Sequence, residues 1–178
     1  MKQQAGLTLI EVLIAVLVLA IGLLGIAGLQ SSVLANNLIS YQYTQAATLA
    51  EGMIERMRAN RQAVLEGAYA LAPGARAPEA PANCSSAACS PAQQAAWDIA
   101  VLYAQVAADA SETNLPTGPR GILPGGRIGI TCETGVNCNE TAIRLITIYW
   151  DANRTGATGT ECTEDNAQLR CFRLPYIP

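Results

Sequence analysis

Apolar residues run almost without a break from Leu7 to Leu29, and a helix over these 23 residues is long enough to cross a hydrocarbon layer about 30 Å thick. Glu11 is the one charge in that stretch. From Gln30 the pattern becomes amphipathic: Leu34, Leu38, Tyr41, Leu49, Met53 and Met57 recur at steps that share one helical face, in a row interrupted by Gln45. No proline falls between Gln30 and Glu66, so the two patterns together predict one continuous helix from Leu7 to Glu66, roughly 90 Å long. Gly22, Gly25 and Gly28 fall at steps of three within it. Small residues let neighbouring helices approach closely in a membrane, but glycine is also simply commoner in such helices, and both readings stand.

Beyond that helix the pattern predicts loops, one more helix and three strands. Residues 72–91 carry Pro73, Pro78, Pro81 and Pro91 among Ala, Ser and Gly, and read as a loop. Ser90 is a good N-cap with Pro91 at the first helical position. The helix that follows puts Ala95, Ile99, Leu102, Tyr103 and Val106 on one face, with Trp97 and Val101 beside it, and should yield near Asn114. Residues 115–127 are punctuated by Gly and Pro; they lack the lysine and following helix of a phosphate-binding loop, so they read as a turn. Strands are predicted over 127–133, 142–150 and 168–174, with Gly135 and Asn137 turning the first hairpin. The second strand is apolar on both faces and therefore central. The expected class is α+β: a long N-terminal helix packed on a small antiparallel sheet, with disulfide-closed loops.

Composition narrows the chemistry. About 150 residues remain outside the apolar segment, which suits one globular head. The net charge of −3 and scattered arginines give no footprint for nucleic acid. Histidine is absent, which removes the commonest general base and metal ligand, so histidine-based triads and mixed Cys/His zinc sites are excluded. Asp98, Asp109 and Glu112 read as solvated acids of a helix rather than as a catalytic pair. An enzyme is therefore the weakest class, and no cofactor is expected. The loop from Asp151 to Gly156 begins like an EF-hand but has Cys162 where the bidentate glutamate should stand, and reads as a solvated turn.

Six cysteines in three close pairs, Cys84 with Cys89, Cys132 with Cys138 and Cys162 with Cys171, suit an oxidising compartment and structural bridges. Six allow fifteen connectivities, and sequence alone does not choose among them. Each close pair flanks a predicted loop, so local pairing is the expectation. A metal cluster is disfavoured because no pair has the C-x-x-C spacing.

Glu11 needs explaining. An acid inside a membrane-spanning helix costs up to about 2.5 to 3.5 kcal/mol at mid-bilayer and marks a functional site by default. The segment holds no cation, but removal of the first six residues would create an amine on Leu7, able to meet Glu11 of a neighbouring helix. The stretch Gly6-Leu7-Thr8-Leu9-Ile10-Glu11-Val12-Leu13 resembles the signal of type IV pilins and pseudopilins. That resemblance implies cleavage by prepilin peptidase between Gly6 and Leu7, methylation of the new terminus, and Glu11 as the assembly glutamate. Family members most often have Phe where this chain has Leu7, and major pilins a proline where it has Gly28.

A second stretch, Leu49-Ala50-Glu51-Gly52-Met53-Ile54-Glu55-Arg56-Met57-Arg58-Ala59-Asn60-Arg61, is similar to a passage of minor pilins of the PilV type. Read as residues alone it is an amphipathic helix whose charged face is solvated, Glu51 and Glu55 opposite Arg58 and Arg56. Together the resemblances imply a leader over 1–6, a transmembrane and filament-core helix over 7–29, an amphipathic continuation over 30–66 and a periplasmic head over 67–178. They imply a non-catalytic subunit of the bacterial inner membrane and then the pilus. Its partners would be other minor pilins, the major pilin and a large tip adhesin, in priming pilus assembly and supporting adhesion and twitching motility. Competing readings are a minor pseudopilin of a type II secretion system, a signal-anchored periplasmic binding domain, and a secretory peptide cut after Gly25-Ile26-Ala27.

Overall fold

The computed structural model describes residues 8–80, 83–107, 119–132, 142–162 and 169–178. By its internal contacts the chain divides into two units, Met1–Tyr41 and Gln42–Pro178. Helix α1 spans Leu9–Ala59, α2 Arg61–Leu65 and α3 Pro91–Val106; the strands are β1 Arg127–Cys132, β2 Arg144–Asp151 and β3 Leu169–Tyr176. The described residues thus realise the expected α+β arrangement of a long N-terminal helix and a small antiparallel sheet.

The long helix is not continuous to Glu66. It breaks at Asn60, whose backbone leaves the helical region (φ −120°, ψ 52°). Asparagine is a weak helix former, and here its amide Nδ2 donates to the Pro91 carbonyl at 2.8 Å and to the Tyr69 hydroxyl at 3.2 Å. Those tertiary bonds outweigh one more turn of helix. The short α2 then ends near the expected residue: Gly67 takes a left-handed conformation (φ 76°), Ala68 N–H bonds the Ala63 carbonyl, and Gly67 N–H bonds the Val64 carbonyl.

The expected apolar row also holds only in part. Leu34, Leu38 and Tyr41 are exposed, whereas Met53 and Met57 are buried with Ala46, Ala50, Ile54 and Gln42. The core-facing stripe begins at Gln42, and its small Ala46 and Ala50 let that part of the helix lie close to its partners.

Helix α3 starts as its sequence demands. Gln93 N–H bonds the Ser90 hydroxyl and the Gln93 side chain returns a bond to Ser90 N–H, a capping box with Pro91 at the first turn. It stops at Val106, short of the expected Asn114, which lies outside the described residues. Gly121 N–H and Ile122 N–H take the Ala104 and Gln105 carbonyls, the acceptors a further turn would use, and Gly126 packs against the Val106 carbonyl.

The sheet has the order β1-β2-β3, antiparallel throughout, with β2 central as expected. Ile128 pairs with Ile148 and Ile130 with Ile146, while Phe172 and Leu174 of β3 pair with Ile148 and Ile146, so all six share the inner face. That face meets Met53, Met57, Ile99, Leu102 and Val106 in the main core. A smaller cluster of Ala80, Trp97, Ala100, Val101 and Ala104 covers the other side of α3, beneath the proline-rich loop. Beyond β1, Leu71 exchanges two backbone bonds with Ile130, so that edge of the sheet is capped by the chain itself. The Gly135 and Asn137 turn lies outside the described residues.

Candidate functional site

In the N-terminal unit, Gly6 and Leu7 lie outside the described residues and Glu11 within them. Glu11 stands in the first turn of α1, its N–H bonded to the Thr8 carbonyl at 3.1 Å, and its side chain is exposed. A carboxylate there is favoured by the helix dipole, by about 0.3 to 1 kcal/mol. Leu9, Leu13, Leu17, Leu24 and Leu29 are all more than half exposed. With a mean hydropathy of 3.0 over its most apolar 18-residue window, α1 is long and apolar enough to cross a membrane. So large an apolar surface calls for lipid or another protein around it.

The head holds a polar cluster that composition did not foretell. Asp98, read as a solvated acid, is 2% exposed. Its Oδ1 accepts from Arg56 Nη1 at 3.1 Å and Gln94 Nε2 at 2.9 Å, and its Oδ2 from the Tyr69 hydroxyl at 2.7 Å. Burial and the Asp98 carboxylate together push the Tyr69 phenol far above its ordinary range. Arg56, in the PilV-like stretch, therefore pairs across the head and not along its own helix, whereas Arg58 meets its helical neighbour Glu55 at 2.6 Å. Asp109 and Glu112 lie outside the described residues.

A second buried charge sits on the central strand. Arg144 donates from Nη2 to the Val64 carbonyl at 2.9 Å and from Nη1 to the Ala142 carbonyl at 3.2 Å, fastening β2 to the end of α2. Burial draws its pKa down, yet a guanidinium remains charged at any physiological pH.

The Asp151 turn is not solvated at its root. Asp151 is buried, and its Oδ2 accepts from Gly156 N–H at 2.7 Å and Ala157 N–H at 3.1 Å, its Oδ1 from the Thr155 hydroxyl at 3.2 Å. Burial pushes this carboxyl up, but the backbone bonds from Thr155, Gly156 and Ala157 with the Thr155 hydroxyl more than offset it and hold the group below the usual range. Its oxygens serve the loop. No group of three Cys, Asp or Glu among the described residues is placed to hold a metal.

Cys84 is joined to Cys89 and Cys162 to Cys171. Cys132 is disulfide-bonded as well, and Cys138, its expected partner, lies outside the described residues. The first bridge closes the Ser- and Ala-rich loop before α3; the second ties β3 to the segment after the Asp151 turn.

What the sequence reading missed is the set Arg56, Asn60, Tyr69 and Asp98, and Arg144 with it. A lone arginine at the head of an otherwise apolar strand was a readable signal for the last. The acid of the cluster lies 42 residues from its arginine, and nothing local marks them as partners.

Two family models match the chain end to end over its first hundred residues. A prokaryotic N-terminal methylation motif matches residues 1–27, and a family described as type IV pilin Tt1218 matches residues 28–100. No curated protein and no solved structure matches the chain. With the methylation motif on the apolar helix, the pilin match continuing through the head-facing helix into α3, and an α+β head closed by disulfides, the chain belongs to the type IV pilin superfamily.

Proposed function

We propose that this chain is a minor pilin of the PilV type that primes type IV pilus assembly and joins the complex at the pilus tip, supporting adhesion and twitching motility. The observation that carries the reading is Glu11, a single carboxylate in the first turn of an exposed apolar helix. Pilins with this leader are substrates of prepilin peptidase and assemble with other pilins.

On this reading residues 1–6 are the leader, cut between Gly6 and Leu7, and Leu7 becomes the methylated terminus. Residues 7–29 span the inner membrane and later the filament core, 30–66 continue into the head, and 67–178 form the periplasmic head. Moving between bilayer and filament core costs the apolar residues little, because lipid and neighbouring helices are similarly apolar. The carboxylate decides the direction: in lipid Glu11 has no partner, whereas beside another subunit it meets that subunit's terminal amine. Its partners on this reading are the major pilin, other minor pilins and a large tip adhesin.

N-terminal sequencing of the mature protein from its host tests the processing step, with Leu7 as the expected first residue. Glu11→Ala should be processed normally and fail to enter the pilus; normal piliation in that strain would overturn the proposal. Deletion should abolish surface pili and twitching and leave enzyme secretion intact, which separates the pilus role from a secretion pseudopilin.

A further inference from the structure

Helices α1 and α3 leave a groove between them. On α1, Thr48, Gly52 and Arg56 follow one another at steps of four, one row on a helix surface, and Asn60 lies just past the helix end. Opposite stand Gln94, Asp98, Leu102 and Gln105 of α3. Two cavities occupy the groove, one of about 210 Å³ at its Thr48 end and one of about 350 Å³ at its Asn60 end, and Arg56 lines both.

Gly52 lies inside the helix, where glycine costs about 1 kcal/mol relative to alanine. The fold supplies no reason for it. Its φ is not positive, and a Cβ built there meets nothing within 4 Å. What the missing side chain provides is a notch in the groove wall, next to buried Met53 and Leu102.

Arg56 adds a charge to that notch. Its side chain is 41% exposed, with Nη1 on Asp98, and its Nε and Nη2 make no hydrogen bond among the described residues. Asp98 already accepts from three donors, so a carboxylate approaching the outer edge of Arg56 meets open donors and a buried acid that is already satisfied.

We infer that this groove is the docking surface for a neighbouring pilin subunit of a different sequence, which places an acidic side chain on Arg56 and an adjacent apolar one in the notch at Gly52. The inference rests on the minor-pilin reading and names the contact through which this subunit meets its partner. A second copy is a poor occupant. Glu51 and Glu55, the latter paired with Arg58, are exposed on the same turns of α1, so a second copy docked through this face would bring its own acids to that side of the groove.

The test uses the full chain in its piliated host, with a photo-cross-linking p-benzoylphenylalanine at Thr48 or Gln105, on the groove rim, and at Glu66 as control. Cross-linked products are identified by mass spectrometry. The expected product from both rim positions, and not from Glu66, is a protein with its own N-terminal methylation motif, joined at a peptide that contains Asp or Glu. Gly52→Leu should reduce that product at least tenfold. The double variant Arg56→Gln/Asp98→Asn, which removes the cation without stranding the buried carboxylate, should do the same. Gly52→Ala should raise the melting temperature while weakening the cross-link, a combination that a folding defect does not produce.

A product joined to a second copy, a product lacking the motif, no product from either rim position, or a yield unchanged in Gly52→Leu overturns the docking surface. Retention of Met1 with undisturbed piliation would instead sink the pilin reading, so the two failures are distinguishable.

Discussion

The indole Nε1–H of Trp150 donates to Gln42 Oε1 at 3.0 Å, joining the end of β2 to the helix 108 residues earlier. The Tyr43 ring stands edge-on to the same indole, centroids 4.9 Å apart and planes at 81°. Gln42 is buried at the first turn of α1 that belongs to the head, so it is both anchor and boundary. Gln42→Leu keeps the bulk but leaves a buried N–H without its acceptor, and the head should lose about 1 to 3 kcal/mol. Urea unfolding of the purified chain in detergent, followed by tryptophan fluorescence, reads the change directly.

Asp98 and Arg56 differ in what their loss exposes. Arg56→Ala removes a partly exposed cation and leaves Asp98 with two neutral donors, a loss of about 1 to 3 kcal/mol after allowing for solvent. Asp98→Ala strands the Tyr69 hydroxyl inside the head and should cost more. Denaturation midpoints for the two variants give the order; an equal or reversed effect would refute the central role given to the acid.

Tyr69 and Asp151 set opposite pH limbs. Tyr69 has its folded pKa raised, so its contribution is complete below the ordinary tyrosine range near pH 10 and declines as pH rises beyond it, because the unfolded chain ionises first. Tyr69→Phe should flatten that alkaline decline. Asp151 has its folded pKa lowered, so its contribution is complete above the ordinary carboxylate range near pH 4 and is lost as pH falls through the folded value. Asp151→Asn should blunt the acid limb. Melting temperature as a function of pH measures both.

Gly126 is required by space. A Cβ there would lie 2.3 Å from the Val106 carbonyl oxygen, which is backbone and cannot swing aside. Gly126→Ala should destabilise the head by about 1 to 3 kcal/mol, seen as a lower melting temperature.

The two described bridges close short loops, of sequence separation 5 and 9. Replacing either pair by serines should cost about 2 to 3 kcal/mol in the chain-entropy account, with the wider Cys162–Cys171 loop losing slightly more. Thermal unfolding of each double variant checks the size and the order.

The elements of this fold were readable because their signals are local. The apolar run from Leu7, the Ser90-Pro91 helix start with Gln93 completing its cap, and the two-sided apolar strand that became β2 each carry their information within a few residues. The methylation motif belongs with them: Gly6 through Glu11 is a contiguous string, and the acid among apolar residues is conspicuous without any coordinates.

Other decisions were taken only in three dimensions. Asn60 ends α1 because the Pro91 carbonyl and the Tyr69 hydroxyl happen to be within reach, and a sequence free of proline gives no sign of that. Asp98 is buried and paired, not solvated, because Arg56, Tyr69 and Gln94 converge on it from two helices and a loop. Leu34, Leu38 and Tyr41 continue the helical row of Met53 and Met57 but remain exposed, since the head's core reaches only as far as Gln42. Periodicity reports which face of an element is apolar. Where that face finds a partner, and which buried charges find theirs, depends on groups far apart in the chain, and only the packed structure brings them within hydrogen-bonding distance.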